Sequence, residues 1–303
     1  MEREYKPVPD CEALKYKGTP DKPDIKIFVS HRIDQDSAVV NNPLYLPVRC
    51  GAMFDERDNV ATLGDDTGNN VSEKRMSYCE LTVQYWAWKN VEADYYGLCH
   101  YRRYLSFADE RFPEDIQSLV IESSLSSTSQ KTYGLLNEEE IREKIKKYDI
   151  VVSQAFNVGY TMTPGGTTFT TVRDYWYQGW SNFLITKENL DRLFELIIEK
   201  YPAYEKDLKA LLNQPYFRGY NCFVMKKEAF FDLCEFEFGI MQEIEPILDM
   251  DGASNYRNRT LGYCAEILYT LWVYRAIKYK LYTVDERQLV LFQDSSPAED
   301  LIP

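Results

Sequence analysis

The most regular pattern along the chain is a series of short apolar runs, each of which ends abruptly in polar residues. Runs of this length are typical of buried β-strands. They predict strands near residues 25–30, 44–48, 95–99, 149–153, 220–226, 281–283 and 288–292. Amphipathic segments between them predict helices near residues 137–147, 187–200, 204–213, 227–248 and 258–277. The alternation predicts an α/β fold with a mixed, mostly parallel sheet flanked by helices.

A further helix is predicted immediately before the apolar run at 95–99. Ser77 and Glu80 match the Ser-x-x-Glu capping box that opens many helices. Apolar residues then follow at helical spacing on one face, including Tyr85 and Trp88. Strand, loop, helix and strand in this order are typical of a βα-repeating sheet.

The organisation of the chain favours one domain over residues 1–303, because no repeat or low-complexity linker divides it. The polar, proline-containing residues 1–23 predict an extended lead-in. The segment 107–135 has only short apolar pieces among Ser, Asp and Glu, and it predicts a surface insertion. The Gly/Thr-rich segment 159–171 is either a mobile segment over a pocket or an ordinary irregular connection.

Composition restricts the classes of partner. The formal net charge is −13, which argues against nucleic acid and against electrostatic adhesion to an anionic membrane. No apolar stretch is long enough to span a bilayer, and the seven cysteines include no C-x-x-C pair. We therefore expect reduced thiols in a cytoplasmic protein, with at most peripheral association at the inner face of a membrane.

Basic residues follow two of the predicted strands, at the position where ligands bind in open α/β sheets. His100, Arg102 and Arg103 end the run at 95–99, and His31 and Arg32 end the first strand. Guanidinium groups suit phosphate, so the ligand expected here carries phosphate. The alternative is that some of these side chains, at alternating positions, point into the core.

The motifs around these residues resemble the bacterial DUF4422 family, glycosyltransferase-like proteins of capsule, exopolysaccharide and O-antigen gene clusters. The resemblance spans nearly the whole chain and rests on PVRCGA at 47–52, CELTVQYWAWKN at 79–90, GLCHYRRYL at 97–105, YNCFVMKKE at 220–228 and RTLGYCAEIL at 259–268. It implies a GT-A-like fold. It also implies transfer of a hexosyl unit, of the galactose, galactofuranose or glucose type, from a UDP-sugar to a saccharide acceptor, which we expect to be lipid-linked.

The donor site that the resemblance implies has an unusual charge. Many GT-A enzymes carry an acidic D-x-D motif after the central strand to hold a divalent metal on the donor diphosphate. This chain has His100, Arg102 and Arg103 there, and fixed guanidinium groups can neutralise the diphosphate without an ion. We therefore predict metal-independent catalysis with no required cofactor and no metal ligands. His31, Arg32 and Asp66 complete the predicted donor-binding set.

The acceptor side is predicted on the last long helix. Arg259, Tyr263 and Glu266 are spaced i, i+4 and i+7 and share one helical face. In inverting GT-A enzymes a carboxylate near the start of a late helix deprotonates the acceptor hydroxyl, and Glu266 fits that role by its order in the chain. The alternative is a structural Glu266–Arg259 pair.

Four further residues complete the sequence predictions. Tyr220 and Asn221 are predicted to face the acceptor or the donor sugar, and Asp249 and Asp251 are fallback candidates for the base. A non-catalytic protein that binds sugar nucleotides or glycans remains an alternative function. A metal-dependent phosphoesterase is disfavoured because the chain lacks a histidine cluster.

Overall fold

Most of the apolar runs that predict strands form β-strands in the structure. The computed structural model describes residues 5–57, 60–162, 166–180, 184–248 and 257–297. Within these ranges the strands are β1 (Ile25–His31), β2 (Tyr45–Arg49), β3 (Leu63–Gly64), β4 (Tyr95–His100), β5 (Arg103–Leu105), β6 (Leu119–Ser124), β7 (Ile150–Ser153), β8 (Phe156–Asn157), β9 (Tyr216–Phe217), β10 (Phe223–Lys226), β11 (Val284–Arg287) and β12 (Leu289–Asp294).

Helices occupy most of the amphipathic segments. The α-helices in the same ranges are α1 (Arg75–Tyr78), α2 (Leu81–Asn90), α3 (Ser127–Thr132), α4 (Glu138–Ile145), α5 (Val172–Asp174), α6 (Lys187–Lys200), α7 (Glu205–Leu212), α8 (Lys227–Ile244) and α9 (Thr260–Lys278). Asn137 and Thr186 cap α4 and α6 by accepting backbone hydrogen bonds, as short polar side chains do at helix starts.

The main sheet is mixed. Its strand order is β11-β7-β10-β4-β1-β2-β3, and β5, β12 and β6 branch from β4. Strand β1 lies parallel to both β2 and β4, whereas β10 runs antiparallel between β4 and β7. Because β1, β2 and β4 are parallel neighbours, their carboxyl ends meet at one edge of the sheet, and this edge carries the candidate site.

Side chains alternate between two apolar layers along each central strand. Phe28 of β1 and Tyr96 of β4 pack in the layer covered by α2, α8 and α9. Ile27 and Val29 of β1 pack in the opposite layer with residues of β5, β6, β12 and α4. Both faces of β1 are buried, which explains why its sequence is almost continuously apolar.

The predicted α/β class is confirmed, with corrections to individual elements. The strand predicted at 281–283 begins instead at Val284, and the strand predicted at 220–226 begins at Phe223. The surface insertion predicted at 107–135 is wrong in part, because β6 pairs in parallel with β12 and buries Leu119 and Val120. This is an edge strand with one solvent-facing side, so its apolar run is too short to stand out from the polar residues around it.

Two other predicted segments lie at the amino end of the chain and after β7. Residues 5–23 contain neither a helix nor a regular strand. An isolated β-bridge joins Lys6 to Thr67. The 159–171 segment includes residues 163–165, which lie outside the described residues. Its role over a pocket therefore stays a prediction.

Candidate functional site

A cavity of about 280 Å³ lies at the carboxyl ends of β1, β2 and β4. The strand ends contribute Ser30, His31 and His100, and Cys50 follows β2 directly. Most of the lining side chains that carry or can carry charge are basic: His31, Arg32, Arg75, His100, Arg102, Arg103 and Arg259, with Glu80 as the acidic member. The position and the lining both favour an anionic ligand.

A tight hairpin presents the central arginines to this cavity. His100, the last residue of β4, pairs antiparallel with Arg103, the first residue of β5, so Tyr101 and Arg102 form the turn between them. The backbone N–H of Tyr101 donates to the Ser30 carbonyl at 3.1 Å. The hairpin is thereby fixed to β1, and both arginines line the cavity.

Three of the arginines have no counter-ion among the described residues. No described carboxylate lies within 4.0 Å of the guanidinium groups of Arg102, Arg103 or Arg259. The Nε atoms of Arg102 and Arg103 are buried without a hydrogen-bond partner. Arg103 instead stacks 4.8 Å from the centre of the Tyr220 ring, and Arg259 Nε contacts the Cys79 sulfur at 3.2 Å. Unpaired guanidinium groups in a protein of net charge −13 form a local site for an anion.

The two histidines are neutral donors or acceptors in this site. Burial lowers the pKa of His31 to about 4, and its Nε2 atom is buried without a partner. The pKa of His100 is held well below its usual value, first by burial and then by the nearby charges of Arg103 and Arg102. Both imidazoles are therefore uncharged near pH 7 and leave the positive charge to the arginines.

Glu266 lies beside this cluster on α9. Burial raises its pKa to about 7, and the charge of Glu80 raises it further, whereas Arg103 and Arg259 and a hydrogen bond from the backbone of Tyr220 act in the opposite direction. A Cβ added at Gly219 would lie 3.3 Å from Glu266 Oε2. A carboxylate with a pKa near neutrality is suited to general-base catalysis.

An unusual backbone turn connects the two carboxylates. Tyr220 and Asn221, just before β10, have φ values of 76° and 40°, which are rare for residues with a side chain. The backbone of Tyr220 is near enough to Glu266 to lower its pKa, and Asn221 Nδ2 donates to Glu80 Oε1 at 3.2 Å. Cys79, next to Glu80, also has positive φ at 52°. Strained backbone of this kind is stable only where its surroundings hold it, and it concentrates at functional sites.

Not every predicted residue belongs to this cluster. Arg32 lines the cavity but is paired with Asp34, and Tyr263 lies under the Arg259 guanidinium at 5.8 Å. Asp66 is absent from the cavity lining and forms an ion pair with Lys6. The predicted donor contact of Asp66 therefore has no support in this geometry.

Three other carboxylates that were candidates do not contribute to this cavity as the structure describes it. The Asp65 carboxylate is buried and accepts hydrogen bonds from the backbone of Gly51 and Ala52 and from the hydroxyls of Ser72 and Thr82. This arrangement ties the loop after β2 to α2 and is structural. The fallback residues Asp249 and Asp251 lie outside the described residues.

The prediction that Glu80 belongs to a helix capping box is wrong, and Glu80 lines the cavity instead. The predicted capping box does not form, because Ser77 Oγ donates to the Lys74 carbonyl and α2 begins after Glu80 without a side-chain cap. The left-handed backbone at Cys79 separates α1 from α2 and releases the Glu80 side chain to the cavity. The available signal was the inclusion of Cys79 and Glu80 in the CELT motif.

A larger cavity of about 850 Å³ lies at the other end of the sheet, near the amino ends of β1 and β4. Four lysines line it, but Lys226 and Lys227 are already paired with Asp149 and Glu92. It adjoins the amino end of β4, where open α/β sheets do not bind their ligands. The smaller arginine-lined cavity is therefore the candidate site.

Two properties concern metals and membranes. Across the described ranges, no three His, Cys, Asp or Glu residues are grouped closely enough to hold a metal ion. In the same part of the chain, no helix is both long and apolar enough to cross a bilayer.

The chain belongs to the DUF4422 family, whose model, described as a domain of unknown function, matches residues 26–277. A solved structure described as the apo form of the WbbM bifunctional glycosyltransferase has the same fold, with a TM-score of 0.79 and 28% sequence identity. The similarity covers 91% of this chain and 48% of that one, so this chain spans about half the length of that protein. No curated protein matches the chain.

Proposed function

We propose that this chain is a glycosyltransferase that moves a hexosyl unit, of the galactose, galactofuranose or glucose type, from a UDP-sugar to a saccharide acceptor in surface polysaccharide synthesis. Membership of DUF4422 and the fold shared with a bifunctional glycosyltransferase support the reaction class. The arginine-lined cavity supports the donor class, because a nucleoside diphosphate brings the charge that this cavity lacks.

One observation carries the proposal: Arg102, Arg103 and Arg259 face one cavity without a described counter-ion. Keeping unpaired guanidinium groups beside one another costs free energy unless an anion neutralises them. Each charge-assisted hydrogen bond to a phosphate oxygen contributes about 1.5–3 kcal/mol. A diphosphate offers enough oxygen atoms to engage all three groups.

The same charges support transfer without a metal. As the bond between the anomeric carbon and the diphosphate breaks, negative charge grows on the leaving oxygen, and preorganised guanidinium groups stabilise it. The neutral histidines add hydrogen-bond capacity at that end of the cavity, since His31 Nε2 has no partner in the described chain. No cofactor is required in this scheme.

Glu266 supplies the base. Its carboxylate takes the proton of the acceptor hydroxyl, the resulting oxygen attacks the anomeric carbon, and UDP leaves with the electrons of the broken bond. Attack opposite to the leaving group inverts the anomeric configuration. The pKa of about 7 keeps a substantial fraction of Glu266 ionised at neutral pH.

Two measurements test the proposal. Isothermal titration with UDP tests the donor site, with Arg102→Ala and Arg103→Ala as variants and Arg192→Ala, on the surface of α6, as the matched control. Radiolabelled transfer from a panel of UDP-sugars tests the reaction. Absence of UDP binding would contradict the donor assignment, and UDP binding without transfer to any saccharide would indicate a non-catalytic binding protein.

A further inference from the structure

The cavity contains one carboxylate whose placement the donor site does not explain. Glu80 is the acidic residue in its lining, and no described Lys or Arg lies within ion-pair distance of it. The neutral amide of Asn221 donates a hydrogen bond to the Glu80 carboxylate. A carboxylate that only balanced the arginines would form an ion pair with one of them. Glu80 therefore keeps acceptor capacity for a ligand.

Asn221 does not line the cavity, but the hydrogen bond that it donates to Glu80 fixes a carboxylate that does. Its side chain is 2% exposed, and its Oδ1 atom is buried without a hydrogen-bond partner. A buried amide with one unmet group is costly, so structures normally satisfy it. The positive φ of Asn221 adds a backbone cost at the same residue. These costs are compensated if Asn221 holds Glu80 in a position that a ligand requires.

Glu80 lines the cavity, and Glu266, which does not, lies close enough for the charge of Glu80 to raise its pKa. Tyr220 and Asn221 are consecutive; the backbone of the first is near enough to Glu266 to lower its pKa, and the side chain of the second donates a hydrogen bond to Glu80. A diphosphate would be repelled by this pair of acidic groups, whereas sugar hydroxyls donate hydrogen bonds to carboxylates. Phosphate is thus suited to the basic lining of the cavity, and sugar hydroxyls are suited to the side where Glu80 lines it and Glu266 lies nearby.

We propose that Glu80, held by Asn221, binds a hydroxyl of the acceptor sugar adjacent to the hydroxyl that Glu266 deprotonates. This inference rests on the proposed glycosyltransferase function. It specifies the acceptor class as a sugar with two neighbouring hydroxyls, one nucleophilic and one used for orientation. Glu80 contacts substrate in this account, and Asn221 is a positioning residue.

The test compares Glu80→Gln with the wild type, using a methyl glycoside that the wild type accepts and its monodeoxy analogues. A carboxylate accepts a stronger hydrogen bond than the amide oxygen of Gln, so acceptor KM should rise about 10-fold in the variant, with donor KM and the Kd for UDP nearly unchanged. The wild type should discriminate by a similar factor against one monodeoxy acceptor that retains the nucleophilic hydroxyl. Glu80→Gln should show less of that discrimination, because its amide oxygen accepts only a neutral, weaker hydrogen bond.

A second variant keeps the test decisive if Glu80→Gln folds poorly. Asn221→Ala leaves the Glu80 carboxylate in place but unsupported, so it should reduce the same discrimination while the acceptor remains a substrate. Glu199→Gln, exposed on α6, is the control for loss of an acidic charge.

Three results would overturn the inference. One is unchanged discrimination in both variants, and another is a rise in donor KM instead of acceptor KM, which would assign Glu80 to the donor sugar. The third is a wild type that transfers no sugar, and this result would remove the proposed function as well. An active wild type with an unaffected Glu80→Gln would remove only the present inference.

Discussion

Replacing Glu266 by Gln tests the chemistry of the site most specifically among substitutions. The amide has nearly the same size and can still accept the hydrogen bond from the Tyr220 backbone, but it cannot take a proton. General-base assistance of this kind contributes a factor of ~10²–10⁴. We therefore expect kcat to fall by that factor, with the Kd for UDP unchanged because the arginines remain in place.

The pH dependence provides a second, independent readout. Burial and the charge of Glu80 raise the pKa of Glu266 to about 7. The base is active when deprotonated, so the rate should be lost as the pH falls through about 7. Roughly one tenth of Glu266 is ionised one unit below the pKa and roughly nine tenths one unit above it. The wild-type rate should thus rise about tenfold between pH 6 and pH 8, and the Gln variant should show no such rise.

A buried carboxyl elsewhere provides the matched control. Glu237 on α8 is buried and accepts a hydrogen bond from Gln84 Nε2 at 2.7 Å, and burial raises its pKa to about 8. Neither Glu237 nor Glu266 is in the cavity lining, but the charges of Arg103 and Arg259 act on the pKa of Glu266 and not on that of Glu237. Steady-state transfer by Glu237→Gln should match the wild type. A Glu266→Gln variant that is folded and retains turnover within about threefold of the wild type would refute the assignment of the base.

Other substitutions and additions test separate parts of the account. Arg102→Ala and Arg103→Ala should each raise the Kd for UDP by ~10–100-fold in isothermal titration, and an unchanged Kd for both would exclude them as diphosphate ligands. Chelation by EDTA should leave transfer within about twofold of the untreated rate, because the arginines neutralise the diphosphate; restoration by Mn²⁺ after complete loss would contradict this. The pKa of Glu237 is about 8 in the folded protein and near 4.5 in the unfolded chain. Its contribution to the free energy of unfolding should therefore be fully present below about pH 4.5 and be lost as the pH rises towards 8. Thermal unfolding of Glu237→Gln should lack this decline, whose upper limit is about 5 kcal/mol. Asp65→Asn should lower the free energy of unfolding by about 2–3 kcal/mol in urea denaturation, since the amide nitrogen replaces an oxygen that accepts two of the four buried hydrogen bonds. Asp66→Asn, which loses one ion pair to exposed Lys6, should change it by less than about 1 kcal/mol.

Local sequence patterns were sufficient for the central elements of the fold. The run at β1 is buried on both sides, so its continuous apolar character identifies it without knowledge of the partner strands. Strand β6 was not predicted because only its first two residues are buried, and the side chains after them alternate between exposed and half-buried. The antiparallel direction of β10 depends on long connections across the sheet, and no short pattern encodes it.

The site was predictable to the extent that it follows strand ends. His31, His100, Arg102 and Arg103 were placed at one cavity by the rule that parallel strands end at a common edge. Glu80 was not predicted to line the cavity, because Ser77-x-x-Glu80 matches a local helix-start pattern. The positive φ at Cys79 places the start of α2 after Glu80, so the capping box does not form. Its contact with Asn221 joins positions 141 residues apart in sequence, and such a contact depends on the assembled fold.

The most direct test of the central claim is a crystal structure with UDP, determined with and without Mn²⁺. We expect the diphosphate to occupy the same position in both crystals, with its oxygens within hydrogen-bond distance of Arg102 or Arg103 at the carboxyl ends of β1, β2 and β4. Binding of UDP in the lysine-lined cavity at the other end of the sheet would contradict this expectation. A diphosphate that is ordered only through Mn²⁺ held by carboxylates would contradict it equally.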